Sequence, residues 1–308
     1  MPSARTAWSL LRQTFTEWNE DKVPRLGAAL AFYTALSMAP LLVLSLRIAA
    51  YFFDDEAARG ELVHQLRGLM GTQGAEAVQE MIARGNEPTN GAIATVLGVA
   101  TLLFGASGVF GQLQDSLNTI WEVQPKPRRG ILGFVRDRFL SFSMVLGIAF
   151  LLLVSLALSA VITLMGSTLG TLSESWQWIG HVSDFVVSWA LITVLFAMMF
   201  KLLPDVEMAW RDVWLGAVLT ALMFMVGKLA IGFYLGHSAM ASAYGVAGSF
   251  VVLLVWIYYA AQIFFFGAEF TQVYANRYGS RIEPAEHAEK VPEIERAQRG
   301  EMRKPAFG

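Results

Sequence analysis

Long apolar runs dominate the chain and alternate with short polar segments. A bilayer core about 30 Å thick needs roughly 20 apolar residues of helix, because hydrocarbon offers no partner for a bare backbone amide. Six runs reach this length, at residues 26–53, 91–115, 139–165, 182–203, 213–236 and 245–270. The pattern therefore predicts an all-α, polytopic membrane protein with six transmembrane helices within residues 26–275.

Residues 1–25 are more polar and contain four large apolar side chains at spacings of three and four, Trp8, Leu11, Phe15 and Trp18. This spacing places the four on one face of a helix. It is typical of an amphipathic helix that lies at the inner membrane interface with its aromatic rings at headgroup depth. An amphipathic helix packed against the transmembrane bundle would show the same spacing.

Two further segments lie outside the spans. Residues 54–90 contain short apolar periodicities on either side of a glycine-rich break, which predict a small helical extracytoplasmic loop. Residues 276–308 are rich in Glu, Arg, Lys and Pro, a composition that predicts a disordered cytoplasmic tail.

The positive charges predict the orientation. The N-terminal segment, the second and fourth connecting segments and the C-terminal segment together carry 18 Lys and Arg residues, whereas the opposite segments carry three. Cytoplasmic loops hold the excess of Lys and Arg in membrane proteins. Both termini are therefore expected in the cytoplasm.

Composition removes several classes of chemistry. The chain is 55% hydrophobic and only 16% charged, has a formal net charge of −2 and contains no cysteine. Cysteine-ligated metals, thiolate nucleophiles and disulfides are thus excluded, and there is no bulk positive charge of the kind that binds nucleic acid. The four histidines show no metal-binding spacing, and neither a serine-hydrolase nor a phosphate-loop motif is present. We expect no enzymatic activity, no metal and no cofactor.

Two cations lie inside otherwise apolar spans, Arg47 in the first and Lys228 in the fifth. An intramembrane charge is costly, by about 2.5–3.5 kcal/mol on insertion scales, and often marks a ligand pathway. One interpretation is an outward-facing pocket that attracts an anion such as a lipid phosphate. The alternative is that both side chains extend to the outer headgroups.

A second polar set lies at the cytoplasmic ends of the spans. Such residues could form a gate or a headgroup site, or they could be structural ion pairs that fix the span ends at the interface. Asp21 and Arg25 are four residues apart and share a helical face. The cytoplasmic-mouth candidates are Asp21, Arg25, Asp115, Asn118, Trp121, Arg211 and Glu269.

Several stretches resemble the YihY/BrkB family of bacterial inner-membrane proteins, once labelled ribonuclease BN. They are residues 21–46 (DKVPRLGAALAFYTALSMAPLLVLSL), 116–121 (SLNTIW), 202–216 (LLPDVEMAWRDVWLG), and a series from Lys228 through Tyr234 and Tyr244-Gly245 to Gly267-Ala268-Glu269. The resemblance covers about residues 20–275. It implies six helices in a bacterial inner membrane, with both ends in the cytoplasm.

The resemblance implies a role in the cell envelope, since family members are linked to serum resistance and to suppression of defects in lipid A precursor export. The leading hypothesis is a transporter that moves or hands over an anionic lipid or lipid precursor. Its ligand-binding candidates are Arg47, Lys228, Tyr33, Tyr234 and Tyr244.

Two other functions stay open, a scaffold for envelope-assembly proteins and a small-solute or ion channel. The expected partners are membrane lipids, with envelope-assembly proteins or further copies of the chain as additional possibilities, and no nucleic acid.

Overall fold

The computed structural model describes residues 4–52, 108–126, 174–237 and 248–292, together with positions 60, 67, 75, 76, 78 and 79 of the first loop. The chain divides into two compact units. The first comprises Met1–Phe15, Leu117–Met223 and Gly267–Met302, and the second Thr16–Ser116, Phe224–Phe266 and Arg303–Gly308.

The described residues are mostly helical. The helices are α1 (Ala4–Glu20), α2 (Val23–Phe52), α3 (residues 108–120), α4 (Glu174–Leu202), α5 (Trp210–His237) and α6 (Gly248–Tyr278). Four of them, α2, α4, α5 and α6, have 30, 29, 28 and 31 residues. At a rise of 1.5 Å per residue these helices are about 42–46 Å long, which exceeds the thickness of a bilayer core.

Two helical stretches of the described residues are long and apolar enough to cross a membrane, Trp210–Leu235 and Phe250–Tyr278, with mean hydropathies of 1.9 and 2.0. Within an apolar 18-residue segment of each stretch, only 22% and 39% of the residues are buried. In a soluble protein, by contrast, a helix that is apolar all round is buried. On α5, Val226, Leu229 and Phe233 are 62%, 70% and 70% exposed. This exposure is typical of helices that face lipid.

The predicted span at 26–53 overlaps α2, which ends at Phe52, and the one at 182–203 overlaps α4, which ends at Leu202. Residues 139–165 and most of 91–115 lie outside the described residues. Six transmembrane helices therefore stay a prediction. In the first loop, the six described positions are all helical, and Ala75 and Val78 are buried.

Small residues bring helices close together in the second unit. A Cβ added to Gly27 would overlap the side-chain amide of Gln262, and one added to Gly227 would overlap Ile263. Ala31, one turn after Gly27, is 3% exposed. Close approach through small side chains is the usual way in which helices pack in lipid.

In the first unit, α5 and α6 pack through a reciprocal glycine–threonine contact. Gly216 faces Thr271, and Gly267 faces Thr220, so that a Cβ on either glycine would collide with the facing threonine. Each threonine hydroxyl donates to the carbonyl four residues earlier, Thr220 to Gly216 and Thr271 to Gly267, both at 2.7 Å. The hydroxyls are satisfied within their own helices, so the two backbones can approach without leaving a polar atom unpaired.

The C-terminal segment is ordered as far as residue 292, which corrects the prediction of a disordered tail from residue 276. Helix α6 continues to Tyr278 and is followed by β3 (Glu283–Pro284) and β4 (Ala288–Lys290). Strand β4 pairs antiparallel with β1 (Val123–Pro125), and β3 with β2 (Val206–Glu207).

The order arises from partners distant in the sequence. Ile282, Ala288 and Val291 are 6%, 4% and 9% exposed. Composition predicted disorder because it carries no information about such pairing. Residues 293–308 lie outside the described residues.

Candidate functional site

Asn118, Asp205 and His287 form a buried cluster in the first unit, called here the Asn–Asp–His cluster. The Asn118 amide donates to Asp205 Oδ2 at 3.1 Å, and the Asp205 backbone N–H donates to Asn118 Oδ1 at 2.8 Å. His287 Nε2 lies 2.8 Å from Asp205 Oδ1. The Asp205 side chain is 6% exposed and that of His287 30%. Asn118 and His287, from remote parts of the chain, thus each contact one oxygen of the buried Asp205 carboxylate.

Local sequence explains how the first two members reach this place. Helix α3 ends just before Trp121, and the turn is completed by Glu122 in the left-handed region at φ 59°. Asp205 follows the end of α4 and Pro204, whose ring disfavours helical geometry at the residue before it. Trp121 is 3% exposed and packs edge-on against Phe200, with ring centroids 6.0 Å apart.

Backbone contacts hold the third member in place. The Ala285 N–H donates to Asp205 O at 2.9 Å, and the Val291 N–H to Glu122 O at 3.0 Å. Lys126 donates twice, from its N–H to His287 O at 3.1 Å and from Nζ to Glu286 O at 2.7 Å. The C-terminal segment is therefore tied to the ends of α3 and α4. Sequence reasoning left Asp205 and His287 out of the candidate set, and the only pointer was the Pro-Asp pair within the 202–216 stretch.

A second buried carboxylate, Asp212, joins the start of α5 to the end of α6. Its Oδ2 accepts hydrogen bonds from the Ser280 N–H at 2.8 Å and the Ser280 hydroxyl at 2.9 Å. The Ser280 hydroxyl in turn accepts from the Ala209 N–H at 3.2 Å. Asp212 is 3% exposed, and a Cβ on Gly279 would strike its carboxylate. The arrangement is a fixed joint in which an anion lies in the first turn of a helix, where the helix dipole favours it.

The cytoplasmic-mouth candidates divide between the two units. In the first unit, Asn118, Trp121 and Glu269 are 4%, 3% and 0% exposed, and Arg211 is exposed. In the second unit Asp21 is 3% exposed, whereas Arg25 and Asp115 are exposed. Of the seven candidates, Asn118 is the one that the structure places in the Asn–Asp–His cluster.

A cavity of about 400 Å³ lies in the second unit. It is open on one side and lined by Ala28 and Ala31 of α2, Tyr234 of α5, and Leu254, Val255, Tyr258 and Tyr259 of α6. Tyr234 and Tyr259 are 51% and 45% exposed. The walls are apolar and aromatic, and tyrosine hydroxyls are their only side-chain polar groups among the lining residues described. Such a cavity suits the apolar part of a ligand of modest size.

A polar layer adjoins this cavity. Gln262 lies one turn after Tyr258 on α6, packed against Gly27, the residue before Ala28. Among the residues that the structure describes, neither polar atom of its buried amide has a hydrogen-bond partner. Because Gly227 contacts Ile263, Lys228 lies at the same height as Gln262 along the α5–α6 pair.

The remaining ligand candidates have separate positions. Tyr33 is 42% exposed and packs edge-on against Phe32 at 5.9 Å. Arg47 lies within α2, and its side chain is outside the described residues, as is the whole of Tyr244. Lys228 is half-buried on the face of α5 that also carries Met225 and Leu235, which are 5% and 2% exposed. It therefore points away from the exposed stripe of Val226, Leu229 and Phe233.

Among the described residues, no group of three or more His, Asp or Glu side chains is arranged to hold a metal ion.

The chain is similar to several curated proteins, some of which are named as membrane proteins. It is 25% identical over 278 residues to a UPF0761 membrane protein of Teredinibacter turnerae, covering 88% of this chain and 61% of that protein. It is 29% identical over 278 residues to a UPF0761 membrane protein of Verminephrobacter eiseniae, covering 87% and 63%. The chain thus spans about three fifths of the length of these curated relatives. A shorter relative, the putative ribonuclease-like protein YfkH of Bacillus subtilis, is 22% identical over 271 residues, which cover 85% of this chain and 93% of that protein.

No solved structure matches the chain. The family model described as virulence factor BrkB matches residues 14–292. This range includes α2 to α6, the Asn–Asp–His cluster and the tyrosine-lined cavity, so the chain is a membrane protein that belongs to the BrkB virulence factor family.

Proposed function

We propose that the protein moves or hands over an anionic lipid or lipid precursor across or along the membrane, without changing it chemically. The observation that carries this proposal is the tyrosine-lined cavity, together with Lys228 and Gln262, which lie level with one end of the cavity along α5 and α6. An amphiphile needs an apolar pocket beside a polar group, and the second unit offers both.

Each part of the site fits one part of the ligand. The cavity walls from Ala28, Leu254 and Val255 suit a hydrocarbon chain, and the Tyr234 and Tyr259 rings supply large contact area at its open side. Tyr234 and Tyr259 are half-exposed on helices that are apolar enough to cross a membrane, so we expect a hydrocarbon chain to enter from lipid without crossing water.

The polar layer fits a headgroup. An unpaired buried amide costs about 1–3 kcal/mol, and a phosphate or ester oxygen would accept a hydrogen bond from Gln262 Nε2. Lys228 supplies a positive charge inside an apolar span, where an anion is the natural counterpart. Because Lys228 lies on the buried face of α5, its charge is directed toward the protein rather than sideways into lipid.

Native mass spectrometry of the protein released from mild detergent, with lipid extraction of the same sample, tests this proposal. The wild type should retain an anionic lipid, and Lys228→Met should retain at least about tenfold less, which corresponds to 1.4 kcal/mol. Lys228→Arg should retain it. Lys290→Met is the control, because Lys290 is an exposed cation outside the candidate sites.

The cavity is tested by filling it. Ala28 is an exposed lining residue, so Ala28→Trp adds a ring to the cavity with little disturbance of the core. Leu36→Trp is the control, since Leu36 lies on the same helix, is 56% exposed and does not line the cavity. Lipid retained equally by Ala28→Trp, Lys228→Met and the wild type would sink the proposal.

A further inference from the structure

Helix α1 presents large apolar side chains outward and polar side chains inward. Trp8, Leu11 and Phe15 are 71%, 40% and 59% exposed, whereas Thr14 and Glu17 are 0% and 6% exposed. A helix on the surface of a water-soluble protein has the opposite arrangement, with its apolar stripe toward the core. An apolar environment must therefore cover the outer face of α1.

The inner face of α1 is already occupied by protein. Leu10 is 4% exposed, and the Thr14 hydroxyl donates to the Leu10 carbonyl at 3.0 Å within the helix. Arg277 Nη1 donates to Ser9 Oγ at 3.2 Å, which attaches α1 to the end of α6. A helix at the membrane interface and a helix packed against the protein were the two sequence-based alternatives for α1. They are compatible, because one face of α1 packs on the protein and the aromatic face points outward.

The same unit carries further exposed aromatic and apolar side chains where spans begin and end. Trp210 and Trp214 in the first turns of α5 are 48% and 41% exposed, and Leu202 and Tyr278 at the ends of α4 and α6 are 48% and 49% exposed. Trp and Tyr concentrate at membrane–water interfaces, where an apolar ring and a polar edge are both accommodated.

Charge and chain continuity identify what covers the face. Arg12 lies between Trp8 and Phe15 on the exposed face, and the Arg277 guanidinium lies 5.4 Å from the centre of the exposed Tyr278 ring. Cations beside exposed aromatics match a layer of lipid phosphates. Only Asp21 and Lys22 separate α1 from α2, whose length and apolar sequence suit a membrane span.

We propose that the Trp8–Leu11–Phe15 face of α1 lies in the headgroup region of the leaflet on the N-terminal side of the membrane, with Arg12 and Arg277 at the level of the phosphates. This interface is independent of the lipid-handling cavity. A second copy of the chain is the competing occupant.

The absence of cysteine from the chain makes a direct test possible. Single cysteines introduced as Trp8→Cys, Leu11→Cys and Phe15→Cys are spin-labelled in the full-length protein, reconstituted in phosphatidylethanolamine–phosphatidylglycerol vesicles. Thr16→Cys is the matched control, because Thr16 is exposed and turned about 100° from Phe15. Collision rates with oxygen, which dissolves in lipid, are compared with those of a water-soluble nickel chelate.

The expected result is an oxygen-to-nickel collision ratio at positions 8, 11 and 15 several-fold above that at position 16. Equally low ratios at all four positions would place the face in water and overturn the proposal. Dipolar broadening between labels at positions 8 or 15 of different copies would make a second copy the occupant and overturn it equally. Three separate exposed positions keep the test valid if one variant fails to fold.

Discussion

Replacing Asn118 by alanine should loosen the C-terminal segment and lower the stability of the whole protein. The side chain makes two hydrogen bonds to Asp205, one at 3.1 Å to the carboxylate and one at 2.8 Å from the backbone N–H. Asn118 is 4% exposed and Asp205 5%, so water cannot readily replace either bond.

The magnitude follows from the two bonds. A hydrogen bond to a charged group contributes about 1.5–3 kcal/mol and a neutral one about 0.5–1.5 kcal/mol. Asn118→Ala should therefore lower the free energy of unfolding by about 2–4 kcal/mol, the range typical of a disrupted buried network. Asn118→Asp should cost at least as much, because it places a second carboxylate against Asp205.

Two measurements check this prediction. Equilibrium unfolding in mixed micelles gives the free energy, and hydrogen exchange reports the strands directly, with faster exchange expected at residues 283–291. Asp115→Ala is the control, because Asp115 is exposed on the same helix. A loss below about 0.5 kcal/mol together with unchanged exchange at residues 283–291 would refute the reasoning, since such a small change is typical of surface sites.

Three further predictions concern packing, backbone strain and the third cluster member. Gly216→Ala should lower the free energy of unfolding by about 1–3 kcal/mol, because the new Cβ would lie 2.8 Å from Thr271 Cβ. A Cβ at Gly232 would meet open space, so Gly232→Ala should leave the stability unchanged or raise it by up to about 1 kcal/mol through helix propensity. Equal melting temperatures for these two variants would contradict the packing. Lys22→Gly should raise the free energy of unfolding by up to about 1 kcal/mol, because Lys22 has φ 53° and a left-handed conformation costs a non-glycine residue about 1–2 kcal/mol. Glycine removes this cost, but its greater freedom in the unfolded chain offsets part of the gain. A lower melting temperature would contradict this prediction. His287→Ala should speed hydrogen exchange of β4 and lower stability by about 1–3 kcal/mol, because it removes a partner of buried Asp205. Unchanged exchange of β4 would mean that the backbone bonds alone hold the segment.

Local patterns in the sequence were enough to predict the parts of the fold that depend on neighbours along the chain. The spacing of Trp8, Leu11 and Phe15 correctly predicted that they share a helical face, since helical periodicity is a local property. The apolar runs at 213–236 and 245–270 correspond to α5 and α6, although α6 extends to Tyr278. Helix ends are less well defined by hydropathy because an amphipathic last turn can extend beyond the apolar region.

Contacts between remote residues could not be predicted in the same way. Asp205 and His287 are 82 residues apart, and nothing in either local sequence indicates the other. The pairing of β4 with β1 likewise depends on the fold bringing residues 288–290 to residues 123–125. The charged residues near Pro292 predicted disorder because such a segment has little apolar surface of its own to bury. Composition does not show which remote residues pair with it in the fold.

The candidate ligand site was predicted only in part. The cost of a charge in a membrane singled out Lys228, and the resemblance singled out Tyr234, which lines the cavity. Tyr258, Tyr259 and Gln262 were missed because aromatic and amide residues in an apolar span have no distinctive spacing. Their significance depends on which face of α6 meets α2.

The most direct test of the proposed function is lipid translocation by the purified protein in proteoliposomes, with fluorescent phosphatidylglycerol as the anionic probe and membrane-impermeant dithionite to reduce the exposed dye. The wild type and Leu36→Trp should make nearly all of the probe accessible within minutes, whereas Ala28→Trp and Lys228→Met should leave the inner-leaflet half protected. Protection in wild-type proteoliposomes equal to that in protein-free vesicles, without and with an imposed ion gradient, would contradict a role in moving lipid.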